Sequence, residues 1–241
     1  MLQIQKATKR KSKLRLAIEG ASGSGKTYSA LILGTVIGKK TIVIDTEHGS
    51  ANLYADKFEF DIIALDPPYT PERYIETIKM AEDAGYDTCI IDSISHEWNG
   101  AGGCLDLVNQ IGTNSYTAWG KITPRHDRFI NTMLQSDMHI IATMRSKAAY
   151  ETGKDEKTGK MTVSKKGTAP IQRDSVDYEF TIVFDLNQNH LASVSKDRTS
   201  LFDGKDFPID KTVGKQLNDW MNSGDEAIKK EVEIEREIEN P

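Results

Sequence analysis

The string LRLAIEGASGSGKTYSALILGTVIG (14–38) restricts the possible folds more than any other part of the chain. An apolar run, LRLAIE (14–19), reads as a β-strand. A glycine-rich stretch, GASGSG (20–25), breaks it. Lys26 to Ile37 then reads as a helix closed by Gly38. Residues 20–27 match G-x-x-x-x-G-K-[ST], and strand, loop and helix are the setting this pattern requires. The glycines let backbone N–H groups curl around a phosphate, and the helix N-terminus adds its positive dipole end. Lys26 reaches the outer phosphates and Thr27 offers a hydroxyl to Mg²⁺. Gly20, Ala21, Ser22, Gly23, Ser24, Gly25, Lys26, Thr27 and Tyr28 are therefore the candidate nucleotide contacts.

The chain continues in the same alternation. TIVID (41–45), DIIAL (61–65), TCIID (88–92) and HIIATM (139–144) read as strands. Thr70 and Pro71 open a helix running to about Ala84, and another is expected from about Thr123 to Gln135. Near-continuous apolar strands between helices predict an α/β fold, with a mostly parallel sheet covered on both faces. Residues 151–169 are polar, with Gly153, Gly159, Gly167 and several lysines, and predict a mobile loop or thin hairpin. Tyr178–Leu186 and Leu191–Ser195 predict a C-terminal β-hairpin around NQN (187–189). A short helix over 216–221 would close the domain.

Acids end two of the strands. Asp92 closes TCIID, where a carboxylate beside the phosphate loop would hold Mg²⁺ together with Thr27. Asp45 and Glu47 follow the second strand, and on an extended chain they would point the same way. Asp45 is nearer the strand body. Glu47 is the better candidate for a base that orients an attacking water; the alternative is a surface acid. Late in the chain, SVSKDRTS (193–200) tips a strand with Lys196 and Arg198. Strand alternation puts both on one face and Asp197 on the other.

With 38% hydrophobic residues among 241, the chain can bury one sizeable domain. Its net charge of −5 excludes a globally basic nucleic-acid binder, so phosphate contacts must come from local patches. Residues 1–15 are one such patch, with Lys6, Lys9, Arg10, Lys11, Lys13 and Arg15 and no acid, whereas 222–241 are rich in glutamate. The organisation expected is a basic arm over 1–12, an ATPase domain over 13–222 and an acidic, solvated tail over 223–241. Cys89 and Cys104 as a pair suggest neither a disulfide framework nor a zinc site. No signal peptide is read, and no run approaches the roughly 20 apolar residues of a membrane helix, so a cytoplasmic protein without membrane partners is expected.

Three segments together resemble the RecA/RadA recombinase core: VIDTEHGSANLYAD (43–56), CIIDSISH (89–96) and IIATMRSK (140–147). The resemblance covers roughly residues 12–200. With GSGKTYSAL and MRSKAAYE it is most similar to the small phage-encoded RecA-like ATPases of the Sak-type single-strand annealing group. It implies a RecA-like P-loop fold, ATP and Mg²⁺ as cofactors, and ATP-dependent binding of single-stranded DNA. It also implies promotion of annealing or strand pairing alongside a single-strand-binding protein. By position it puts the catalytic glutamate on Glu47 and the metal-associated acid on Asp92. The long N-terminal oligomerisation domain and the C-terminal duplex-gathering domain of full recombinases have no counterpart here. Where those recombinases carry a phosphate-sensing glutamine, this chain has Thr143, with Arg145 two residues on as a second sensor candidate.

In the same family two loops hold the DNA strand. Here they would be about 96–120, with Trp98, Tyr116 and Trp119, and about 148–172. The second offers Lys154, Lys157, Lys160, Lys165 and Lys166, with Arg173 just beyond; the alternative is a solvated surface loop. A Lys-x-Arg at the position of Lys196 and Arg198 would lie at a protomer interface and reach the neighbour's nucleotide, which implies a homo-oligomer, ring or filament. Two other classes share the phosphate loop: a nucleotide-dependent assembly factor such as a helicase loader, and a small-molecule kinase.

Overall fold

The computed structural model describes residues 6–112, 115–154 and 161–225, with side chains outside 148–167. In chain order the elements are β1 (Arg15–Gly20), α1 (Lys26–Ile37), β2 (Thr41–Asp45), β3 (Asp61–Ala64), α2 (Pro71–Asp83), β4 (Thr88–Asp92), α3 (Ser95–Asn99), α4 (Cys104–Ile111), α5 (Ser115–Gln135), β5 (His139–Lys154), β6 (Met161–Pro170), β7 (Ile182–Leu186), β8 (Leu191–Asp197), β9 (Phe207–Pro208) and α6 (Lys211–Asn222). Short 3₁₀ turns cover Ser50–Tyr54 and Val176–Glu179.

Every residue of β1, β2 and β4 is buried, which requires cover on both faces of the sheet. The strand order is β3-β2-β4-β5-β1-β7-β8-β9. It is parallel from β3 to β7 and antiparallel beyond, so the expected parallel sheet with a C-terminal hairpin is what forms. Alternation divides the strand residues between two cores. Ala17, Ile42, Ile44, Ile91, Ile140 and Val183 face one core with Tyr74, Ile78 and Phe129 of α2 and α5. Leu16, Ile18, Val43, Ile90, Ile141 and Phe184 face the other, with Leu31 and Leu33 of α1 and Val213 and Leu217 of α6.

Three local expectations are revised. Helix α5 begins at Ser115, not near Thr123, and carries Pro124 inside it. Buried Ala118 and Ile122 and the stack of Trp119 on Trp98 (5.4 Å) hold the early turns in place. Pro124 and Gly120 lie on the exposed face, where water can serve the carbonyl that Pro124 cannot bond. The loop expected over 96–120 is largely helical where described, made of α3, α4 and the first turns of α5. Gly100 and Gly103 serve close packing there: a Cβ on either would lie 2.6 Å from the His96 carbonyl oxygen. Of the loop and hairpin alternatives, the described residues form paired strands, β5 running antiparallel to β6 from Ser146↔Pro170 to Lys154↔Met161. Helix α6 starts earlier than expected, at Lys211, because Asp210 caps it through the Thr212 and Val213 N–H groups (2.7 and 3.1 Å).

The basic arm is tied down where it is described. Arg10 bridges Asp225, the Lys11 N–H donates to the Asp225 carbonyl (2.8 Å), and the Lys9 ammonium sits 4.8 Å above the Trp220 ring. Residues 226–241, most of the expected acidic tail, lie outside the described residues.

Candidate active site

The phosphate loop links the end of β1 to the start of α1. Gly20 cannot be replaced without disturbance, since a Cβ there would lie 2.4 Å from Ser24 Oγ and 2.7 Å from the Leu186 carbonyl oxygen. Gly23 (φ 79°) and Gly25 (φ 92°) take left-handed backbone, which turns the intervening peptides inward. The β7–β8 turn props the loop from outside. Gln188 Nε2 donates to the Ser22 carbonyl (3.3 Å), and His190 Nδ1 lies 3.0 Å from the Ser24 carbonyl, which it serves as an N–H. Both contacts span 166 residues of sequence, and no local pattern marks either residue. A cleft of about 550 Å³ opens beside the loop, lined by Lys26, Thr27, Tyr28, Tyr54, His190 and Ile209. Its aromatic and aliphatic wall suits a nucleotide base, with Tyr28 set edge-on to Tyr54 (5.4 Å).

Asp92 is 1% exposed at the end of β4. Thr27 Oγ1 donates to its Oδ2 and Thr143 Oγ1 to its Oδ1, both at 2.5 Å. Burial pushes this carboxyl up, and the two hydroxyls oppose the shift. The two residues expected to hold Mg²⁺ are thus in direct contact. Lys26 folds back onto the Ala21 carbonyl (2.9 Å). Burial pulls its ammonium below the ordinary lysine value, with the Asp92 and Glu47 charges opposing.

Glu47 and Asp45 do not point together. β2 ends at Asp45, and the chain then turns through His48 (φ 56°) and Gly49 (φ 82°), so strand alternation no longer applies. Asp45 accepts from the N–H groups of Glu47 (2.6 Å) and Ala51 (3.3 Å) and shapes this turn. Glu47 is gripped on both oxygens: Arg145 Nε donates to Oε1 (2.7 Å), Arg145 Nη2 to Oε2, and the Ser93 hydroxyl to Oε1 (3.1 Å). Burial alone would push the Glu47 carboxyl up. Its bonds to Arg145 and the nearby positive charge outweigh that, holding it below the usual carboxylate range and ionised. The two sensor candidates therefore divide the acids between them, Thr143 on Asp92 and Arg145 on Glu47.

Lys196 and Arg198 converge, though not on this site. Lys196 Nζ donates to the carbonyls of Asp177 (3.1 Å) and Tyr178, and Arg198 Nη2 to that of Tyr178 (3.4 Å). Asp197 turns away and fastens the next loop through the N–H groups of Thr199 (2.7 Å) and Phe202 (2.9 Å). Of the DNA-binding candidates, Lys154 ends β5 and Lys165 and Lys166 lie on β6, while Lys157 and Lys160 lie outside the described residues. Arg173 is paired with Asp127 (2.8 Å), so its charge is partly offset.

Glu19, one residue before the loop, carries a measurable consequence. It is 8% exposed, and burial, a hydrogen bond that its carboxyl proton makes to Asp185 and the charges of Asp185 and Asp177 push its carboxyl up to about 9. The folded chain keeps this proton at pH values where the unfolded chain has released it, so stability falls as pH rises between the two pKa values. Glu19→Gln should remove that slope, which is at most about 1.4 kcal/mol per pH unit. Thermal midpoints of wild type and variant should diverge toward alkaline pH, with the variant higher. Parallel curves would mean that Glu19 does not hold the proton.

A glycine loop at a helix N-terminus, with a hydroxyl and a buried carboxylate meeting beside it, defines a P-loop nucleotide-binding core. A family model described as an AAA domain (AAA_24) matches residues 12–207, and the chain belongs to this family of P-loop ATPases. Among curated proteins, none matches the chain significantly. The family implies a bound nucleotide and usually Mg²⁺. Among the described residues, no helix is long and apolar enough to cross a membrane.

Proposed function

We propose that this ATPase is a recombination protein, phage-encoded, that binds single-stranded DNA under ATP control and promotes annealing or strand pairing as a homo-oligomer. The supporting observation is the course of β5. One strand runs from Thr143 on Asp92, through Arg145 on Glu47, into the hairpin that bears Lys154, Lys165 and Lys166. A strand that touches both strand-end acids and continues into a basic hairpin would give DNA binding a direct mechanical route to Glu47.

When bound, MgATP supplies the phosphoryl group to be transferred and a cation that offsets its charge. The loop N–H groups would hold the phosphates, Lys26 would exchange the Ala21 carbonyl for phosphate oxygens, and Thr27 and Asp92 would hold the cation. Glu47 orients water only once an oxygen is freed from Arg145. DNA drawing on the hairpin would shift Arg145 and release it. This predicts ATP turnover that rises on addition of single-stranded DNA. Turnover that DNA leaves unchanged would remove the coupling. A second reading, a nucleotide-dependent assembly factor, draws support from the engagement of both Glu47 oxygens, and nucleotide binding without turnover under any DNA condition would favour it.

Charge on the hairpin is testable by itself. The double variant Lys165→Ala/Lys166→Ala should bind single strands more weakly at low salt. Each lost phosphate contact should reduce the slope of log K against log salt by about 0.7. An unchanged slope takes the hairpin off the DNA path.

A further inference from the structure

We infer that Glu97, Cys104 and His126 form a binding site for one borderline transition-metal ion of the Zn²⁺ type. The three residues come from α3, the first position of α4 and the middle of α5, and they are 0%, 0% and 3% exposed. Cys104 Sγ lies 3.0 Å from Glu97 Oε1, and His126 Nδ1 lies 3.1 Å from both Glu97 oxygens. All three donors fall within 4.8 Å of one another. Around a tetrahedral zinc ion, with bonds of about 2.0–2.3 Å, donor atoms stand roughly 3.3–3.8 Å apart. A shift of a few tenths of an ångström outward would admit the ion.

The donor set decides the kind of metal. A thiolate, an imidazole and a carboxylate match Zn²⁺ or Co²⁺, whereas Mg²⁺ and Ca²⁺ prefer oxygen alone. The site is thus chemically distinct from the Thr27–Asp92 pair. Gln172 supplies outer-shell support. Its Nε2 donates to the Ile94 carbonyl (2.9 Å) and to Glu97 Oε2 (3.3 Å), which orients the carboxylate; a water carried in with the ion would complete four-coordination. Trp98, stacked on Trp119 and edge-on to His126 (5.4 Å), shields the group from solvent. Without a metal the same residues close as a hydrogen-bonded cluster, with burial and the Glu97 charge holding Cys104 as a thiol that donates to the carboxylate. Metal binding replaces that thiol proton, which passes to solvent.

The position gives the ion a structural task. It would fasten α3 and α4, the segment that follows the Asp92 strand, to α5. Through Gln172 it would also hold the exit of the β5–β6 hairpin.

The test uses the full-length chain, stripped with chelator and titrated with Co²⁺ in the presence of Mg²⁺. One equivalent of Co²⁺ should give a thiolate-to-metal charge-transfer band and the intense visible bands of four-coordination. Cys104→Ser should abolish the first, and Zn²⁺ should compete both away. Zn²⁺ added to the wild type should raise its thermal midpoint, a readout that needs no variant to fold. The proposal is overturned if Co²⁺ gives no thiolate band and Zn²⁺ leaves the midpoint unchanged, because the hydrogen-bonded cluster then stands without a metal. It is equally overturned if the band survives in Cys104→Ser.

Discussion

Glu47→Gln should retain nucleotide binding and lose about 10²–10⁴-fold in ATP turnover, the usual contribution of a positioned general base. The side chains are nearly the same size, so the Ser93 hydroxyl and one Arg145 N–H keep an acceptor. What disappears is the negative charge that would polarise water. Because Arg145 is 44% exposed at its side chain, the orphaned guanidinium is served by solvent, and stability should change by no more than about 1 kcal/mol. Nucleotide affinity by calorimetry and turnover by phosphate release separate the two effects. If turnover persists at the wild-type rate, Glu47 is only a structural partner of Arg145, and another group must orient the water.

Arg198→Ala should likewise bind nucleotide and lose turnover, by up to about 10³–10⁵ if the guanidinium acts as a finger on a neighbour's nucleotide. The reason to look to a neighbour is geometric. Within one chain Lys196 and Arg198 lean on the Tyr178 carbonyl at the edge of the hairpin, and none of their described hydrogen bonds reaches the phosphate loop. The one bond that holds Arg198 is long, 3.4 Å to a main-chain oxygen, so a phosphate can draw the guanidinium off. Mixing Arg198→Ala with Glu47→Gln should then restore activity. In a head-to-tail assembly about one quarter of randomly formed interfaces join an intact base to an intact finger. A mixture as inactive as its parents would remove the shared site and, with it, the main argument for a working oligomer.

The dependence on sequence differs between parts of the site. The phosphate loop was legible because its chemistry is local: glycines, Lys26 and Thr27 are neighbours in the chain, and the strand and helix around them follow from hydrophobic period. Asp92 could be read because it ends an apolar strand. Arg145 as the partner of Glu47 could not, since the two are 98 residues apart and meet only because β2, β4 and β5 lie side by side. His190 under the loop and the Glu97–Cys104–His126 cluster escaped for the same reason. The start of α5 is not legible in the sequence because Pro124 is a strong local signal for a beginning, and it takes the burial of Ala118 and Ile122 and the packing of Trp119 on Trp98 to outweigh it.

Residue order alone was enough for the alternation of strands and helices, the two-faced sheet and the phosphate grip, since each rests on interactions spanning a few residues. The folded chain was needed to show that Glu47 is held by Arg145, that Asp45 shapes a turn, and that Lys196 and Arg198 share one carbonyl. Those contacts depend on which strands become neighbours, and strand order is set by the simultaneous burial of both sheet faces, a property of the whole chain that no short segment encodes.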